Sequence, residues 1–172
     1  STRPDLIPPD IAIELTKLQD DVPAFPGEEA LKIIENSLGG EIKEFFSSFD
    51  VEPIASASIA QVHGATLKNG KSVIVKVLRP GIQAVIDQDV AVLYKLASLA
   101  DRYWKEAKRL RPIEIIVEYD KTIHDELDMM REGANASQLK NNFIDSDLIY
   151  VPAVFWEYST REILVMERID GI

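Results

Sequence analysis

At 172 residues, with 46% hydrophobic and 28% charged positions, the chain has the size and composition of one globular domain rather than of a disordered segment. Lys and Arg total 19 against 29 Asp and Glu, a formal net charge of −10, so most of the surface repels a phosphate backbone and nucleic acid is a disfavoured partner. The lack of cysteine removes disulfides, thiolate zinc sites and thiol catalysis. His63 and His124 stand too far apart in sequence to suggest a His-rich metal site, and no apolar run approaches the ~20 residues of a membrane helix.

Ser1 to Pro9, with three prolines, reads as extended chain and as the middle of a longer protein. Asp10 can cap a short helix, Ile11 to Asp20, with Ile11, Leu15 and Leu18 at helical spacing. After the Pro23–Gly27 break, a second helix starts near Glu28, buries Leu31, Ile34 and Leu38, and stops at Gly39-Gly40. Glu41 to Phe46 continues as a further helical turn or two, which makes 1–50 a helical extension. From Val51 the texture turns to β-branched and small residues. Ile54 to Leu67 and Lys71 to Leu78 read as strands joined at Asn69-Gly70, a hairpin dipeptide in which both positions tolerate positive φ. In the second strand Lys76 shares a face with Ile74 and Leu78, a mostly apolar setting.

A helical insertion spans about 81–142. Ile82 to about Lys108 carries Val85, Val92, Leu96 and Leu99 near one stripe, and Pro112 opens a helix running to about Asn142 with Ile116, Ile123, Leu127 and Met130 in register. Leu148 to Trp156 and Glu162 to Arg168 read as two further strands.

Four local patterns carry chemistry. Ile54 is followed by Ala55-Ser56-Ala57-Ser58-Ile59-Ala60-Gln61-Val62, which fits the kinase phosphate-loop spacing G-x-G-x-x-G-x-V with alanine at each glycine anchor. Such a loop lets backbone amides approach phosphate oxygens; alanine keeps the approach close but makes positive φ costly, so a stiffer loop is expected. Val73-Ile74-Val75-Lys76 matches the V-A-I-K strand, whose lysine needs anionic partners if it is buried. On the acidic helix Asp125, Asp128 and Glu132 fall at i, i+3 and i+7, one face, and Glu132 is assigned to pair with Lys76. Ile163 to Met166, passing through Glu167 and Arg168, resembles a strand and hinge that hold adenine by backbone hydrogen bonds. Each pattern has an ordinary alternative taken singly: simple packing, a snorkelling lysine, a solvated acidic face, any buried strand. Their order and spacing together argue against coincidence.

With these residues the chain resembles the UbiB/ABC1 family of atypical protein-kinase-like proteins. The stretches that carry the resemblance are Ser1-Thr2-Arg3-Pro4-Asp5-Leu6, Pro53 to His63, Val75-Lys76-Val77-Leu78-Arg79-Pro80, Asp125-Glu126-Leu127-Asp128 with Arg131-Glu132 and Ala134-Asn135-Ala136, and Val165 to Ile172. The resemblance implies an α+β fold: a kinase-like N-lobe, with an antiparallel sheet of about five strands, family-specific extra helices and a hinge strand at the end of 51–172, the C-lobe being absent. It implies that Ala55 to Ala60 form the alanine-rich loop, that Lys76 contacts nucleotide, that Glu126 and Asp128 form the E-x-D motif, and that Glu132 pairs with the lysine.

The implied cofactor is ATP or ADP, with Mg2+ expected only alongside the missing C-lobe. No residue here matches the catalytic-loop Asp and Asn or the Asp-Phe-Gly motif, so no catalytic residue and no metal ligand is assigned, and this chain alone is expected to be inactive. For the whole protein the resemblance implies an atypical kinase or ATPase supporting ubiquinone or other prenylquinone synthesis. It also implies a place at the cytoplasmic face of the bacterial inner membrane, held through segments not in this sequence. Quinone-biosynthesis proteins or a prenylated lipid are the candidate partners besides nucleotide. The competing readings are a nucleotide-switched lipid- or partner-binding module, for which Ile11 to Asp20 and Ile82 to Lys108 could offer apolar faces although packing into the core is the expected use of those faces, and a plain scaffold.

Overall fold

The computed structural model describes residues 22–104, 107–144 and 148–169. The extended start, the helix expected over Ile11 to Asp20 and the closing Asp170-Gly171-Ile172 lie outside the described residues. Helix α1, Gly27–Leu38, buries Ala30 and Ile34, while Leu31 and Leu38 are only partly covered. It ends as its glycine predicts: Gly39 takes φ 74° and returns its N–H to the Glu35 carbonyl.

A single turn of helix, α2, Ile42–Phe45, leads into strand β1, Phe46–Phe49, inside the stretch expected to be helical. The strand is invisible to a period-two reading because its two phenylalanines are three apart and belong on opposite faces. An irregularity between Phe46 and Ser48 inserts one residue, so that Phe46 pairs with Leu67 and Phe49 with Ala65, both on the core side.

Strands β2, Ala55–Ser56, β3, Ala60–Leu67, β4, Ser72–Leu78, and β5, Ile163–Glu167, complete a five-stranded antiparallel sheet in the order β1-β3-β4-β5, with β2 paired to β3. The fold is mixed α and β, with the expected number of strands. The β3–β4 turn departs in detail from its expectation. Only Gly70 has positive φ, 82°; its N–H bonds to the Leu67 carbonyl, and the Leu67 N–H bonds to the Lys71 carbonyl. That is a three-residue loop with glycine in the left-handed position, so Asn69 serves the turn through its side chain, which accepts from the Lys71 N–H.

One face of the sheet packs Val73, Val75, Val77, Ile163 and Val165, all fully buried, against Ile34 and Phe46. Each such side chain contributes about 1.5–3 kcal/mol of burial. The other face carries a smaller cluster of Ala60, Leu78, Leu127, Met129 and Leu164.

Helix α3, Ile82–Tyr103, and helix α4, Pro112–Glu126, form a hairpin. It is held by the Tyr94 hydroxyl donating to Asp120 Oδ2 at 3.1 Å and by His124 Nε2 against Asp87 Oδ1 at 2.9 Å. Two expectations are corrected here. The stripe Val85, Val92, Leu96 and Leu99 is exposed at 52–56%, and the buried residues of α3 are Val90 and Ala97, roughly half a turn away from Val92 and Leu99. The single helix expected from Pro112 to Asn142 breaks at Leu127-Asp128, and a separate helix α5, Met129–Asn142, begins there. Leu127 and Met129 are both buried, and two residues two apart cannot both face inward from one continuous helix. The break lets them do so: the Met129 N–H goes to the Arg161 carbonyl, and the Asp128 carboxylate caps α5 by accepting from the Met130 N–H.

The strand expected over Leu148 to Trp156 is absent as such. Pro152 removes a ladder donor, and the segment makes one isolated bridge, Val154 to Met166, before a 3-10 turn at Trp156–Tyr158. Among the described residues no helix is long and apolar enough to cross a membrane.

Candidate functional site

Strand alternation sorts the candidate residues into two faces. Val62 on β3, Lys76 on β4 and Leu164 on β5 are directly opposite one another, as are Gly64, Ile74 and Met166, so all six side-chain positions share one face. Ala55 pairs with Val62 and joins them. Gln61 and Glu167 fall on the other face, away from Lys76.

Helix α5 brings Glu132 to this surface. The Lys76 ammonium donates to both carboxylate oxygens, at 2.8 and 2.7 Å. The side chains are 26% and 41% exposed, so water screens the pair and its worth lies in orientation more than in folding free energy. Lys76 does not sit in the mostly apolar setting expected. It opens on a cavity of about 450 Å³ lined by Ile59, Thr122, Asp125, Glu126, Arg131, Glu132 and Asn135. The helix break explains this polar lining: Asp125, Asp128 and Glu132 no longer share a face and take separate partners. Asp125 pairs with Arg131, Asp128 caps α5, and Glu132 holds Lys76. Glu126 is exposed at the cavity edge.

Two residues that sequence reasoning passed over make this geometry possible. At Gly133 an added Cβ would lie 3.0 Å from Leu164 Cδ1 and from the Trp156 ring, so glycine lets α5 approach β5 closely enough for Glu132 to reach Lys76. The second is Arg79, three residues beyond the lysine. Its backbone N–H bonds to the Ile59 carbonyl at 2.9 Å, and its side chain donates to the Ala57 carbonyl and the Ser56 hydroxyl.

The alanine-rich segment is a tight hairpin. Ala55 and Ser56 pair with Val62 and Gln61, the Ile54 N–H bonds to the Val62 carbonyl, and the Ala57 N–H bonds to the Ala60 carbonyl at 2.8 Å. None of its residues has positive φ, the conformational restriction that alanine in place of glycine imposes. Ile54 and Ala55 through Ser58 are exposed, Ile59 reaches the Lys76 cavity, and Ala60 is buried.

Gln61 belongs to a different network. Its Oε1 accepts from the Phe25 N–H at 3.1 Å, so its amide nitrogen is the donor to His63 Nε2, 2.9 Å away. The proton of neutral His63 therefore sits on Nδ1 and is donated to the Asp50 carbonyl at 2.9 Å. Burial pushes the His63 pKa below its ordinary 6.5. An unfolded chain then binds more protons than the folded one below that value, so this residue's contribution to stability is complete above about pH 6.5 and shrinks as pH falls. Urea unfolding of the parent and of His63→Asn from pH 7.5 to 5.0 tests this: the parent is expected to lose more stability over that span than the variant, and parallel curves would refute it.

At the hinge, Met166 lies on the lysine's face. The Glu167 N–H is bonded to the Ala153 carbonyl and the Arg168 N–H to the Ser72 carbonyl, so these two donors are engaged within the fold. The Tyr150 hydroxyl, donating at 2.7 Å, holds the Glu167 carboxyl below its usual range, helped by the Ala153 N–H. Among the described residues no group of three or more His, Asp or Glu could hold a metal ion.

The model of the ABC1 atypical kinase-like domain matches residues 17–172. The chain is 58% identical over its whole length to the Probable protein kinase UbiB of Marinobacter nauticus, 57% to that of Pseudomonas putida and 54% to that of Cellvibrio japonicus. It covers 31%, 32% and 31% of those proteins, about a third of the length of the curated relatives it matches. Among solved structures, the erythromycin complex of Rv3197 from Mycobacterium tuberculosis superposes with a TM-score of 0.75 at 28% identity, covering 98% of this chain and 42% of that one.

Proposed function

The chain belongs to the ABC1 atypical kinase-like family, and from that premise we propose that it forms the ATP- or ADP-binding portion of an atypical kinase or ATPase supporting ubiquinone or a related prenylquinone. The observation that carries this reading is the Lys76–Glu132 pair, held at 2.7 and 2.8 Å beside a tight alanine hairpin and a cavity of about 450 Å³. A lysine fixed this way presents an ammonium to α- and β-phosphates without having to be ordered on binding. The hairpin offers backbone N–H groups at its exposed tip, and in this reading Met166, on the lysine's face, lines the base pocket.

Magnesium, when bound, neutralises phosphate charge. In this reading its ligands come from parts of the protein beyond this sequence, as do the catalytic base and the phosphoacceptor site. This chain by itself is expected not to turn nucleotide over. Titrating the intact protein with ATP and ADP, with and without magnesium, tests the reading: saturable binding is expected, and its absence under all four conditions would overturn it.

The exposed stripe Val85, Val92, Leu96 and Leu99 favours a second reading, a surface for a prenylated lipid or a quinone-biosynthesis protein. Binding of quinone precursors that survives Lys76→Ala would support that role over nucleotide binding.

A further inference from the structure

Arg79 ties the alanine hairpin to the end of β4 through both its backbone and its side chain. Its backbone N–H holds the Ile59 carbonyl at 2.9 Å. Its guanidinium donates from Nε to the Ala57 carbonyl at 2.9 Å, and from one terminal nitrogen to the Ser56 hydroxyl and the Pro23 carbonyl, both at 2.8 Å. The same group lies over the Phe25 ring, 5.7 Å from its centroid. Three separate pieces of chain thus meet on one planar fork: the hairpin tip, the end of β4 and the segment that precedes α1.

The consequence lies in the peptide plane. In a trans peptide the C=O and N–H point in opposite directions, and the structure has no cis bonds among its described residues. Fixing the Ala57 carbonyl on Arg79 therefore turns the Ser58 N–H away from the guanidinium, to the free side of the hairpin. Flipping this peptide would drive Ser58 to positive φ, which a residue with a Cβ resists and which Ser58 does not show, and Arg79 holds the surviving orientation. Because Arg79 continues the strand that carries Lys76, hairpin and lysine are referenced to one frame.

We propose that Arg79 is a positioning residue for the phosphate end of the nucleotide site: it sets the orientation of the alanine hairpin relative to Lys76 and couples that hairpin to the Pro23–Phe25 segment. The inference rests on the nucleotide reading above for its ligand, while the clamp itself is a separate claim about the fold.

The test compares Arg79→Ala and Arg79→Lys with the intact parent protein by amide hydrogen exchange over residues 55–60 and by ATP and ADP titration, with thermal unfolding as a control. In Arg79→Ala the hairpin amides are expected to exchange about tenfold faster and both nucleotides to bind about tenfold more weakly, at an unfolding midpoint close to the parent's. Arg79→Lys is expected to recover part of both effects, since an ammonium can reach one carbonyl but not the whole set. Unchanged exchange in Arg79→Ala overturns the clamp. Faster exchange with unchanged affinity overturns the positioning role. If the parent binds no nucleotide, the reading of the site fails, and the exchange measurement still decides the clamp.

Discussion

Lys76→Ala is expected to weaken ATP and ADP binding by about a hundredfold, the scale of losing a charge-assisted phosphate contact whose donor was already oriented. The fold is expected to survive. The lysine side chain is 26% exposed, and Glu132, at 41%, can hydrate once its partner is gone. Glu132→Gln separates orientation from charge: it keeps the side chain's shape and leaves the ammonium in place but loosely held, so a loss of only about tenfold is expected. Calorimetric titration of both variants in the intact protein provides the comparison. Parent-like affinity in Lys76→Ala would remove the basis for the nucleotide site, and equal losses in the two variants would show that Glu132 does more than aim the lysine.

Gly133→Val is expected to destabilise the fold without touching a charged group. The first added carbon already meets Leu164 Cδ1 and the Trp156 ring at 3.0 Å, and Leu164 is fully buried. Two further methyl groups have no room, and such overpacking costs about 1–3 kcal/mol, only slightly offset by the better helix propensity of valine over glycine. Because Glu132 is the neighbouring residue, pushing α5 away from β5 also lengthens its reach to Lys76. Urea unfolding is expected to place Gly133→Ala between the parent and Gly133→Val, with nucleotide affinity falling in the same order. A valine variant as stable as the parent would show that the helix has slack against the sheet.

The candidate site was legible where local pattern and chemistry coincide. Val73, Val75 and Val77 alternate with Ile74 and Lys76, and a period of two admits one face assignment, so the lysine's direction follows from the strand itself. What surrounds that lysine was not legible. An apolar setting was inferred from its neighbours on β4, whereas the actual lining comes mainly from residues 122–135 of α4 and α5, more than forty positions further along the chain. Arg79 and Gly133 were assigned no role for a related reason. An arginine at a strand end and a glycine in a helix carry no pattern of their own; each acquires its role from atoms that only the folded chain brings near.

Local periodicity by itself determined the β3–β4 hairpin, the run of buried valines and the end of α1 at Gly39. Each depends on φ/ψ preference or side-chain alternation over a few consecutive residues, information contained in those residues. Tertiary structure alone decided that α4 and α5 are two helices, that β1 carries a bulge, and that α3 turns Val90 and Ala97 inward and leaves its larger stripe outside. In each case the deciding term is a partner distant in sequence. The Arg161 carbonyl receives the Met129 N–H, Leu67 and Ala65 oppose Phe46 and Phe49, and Asp120 meets Tyr94. Spacing along the chain specifies which faces are possible; the competition for burial and hydrogen-bond partners chooses among them.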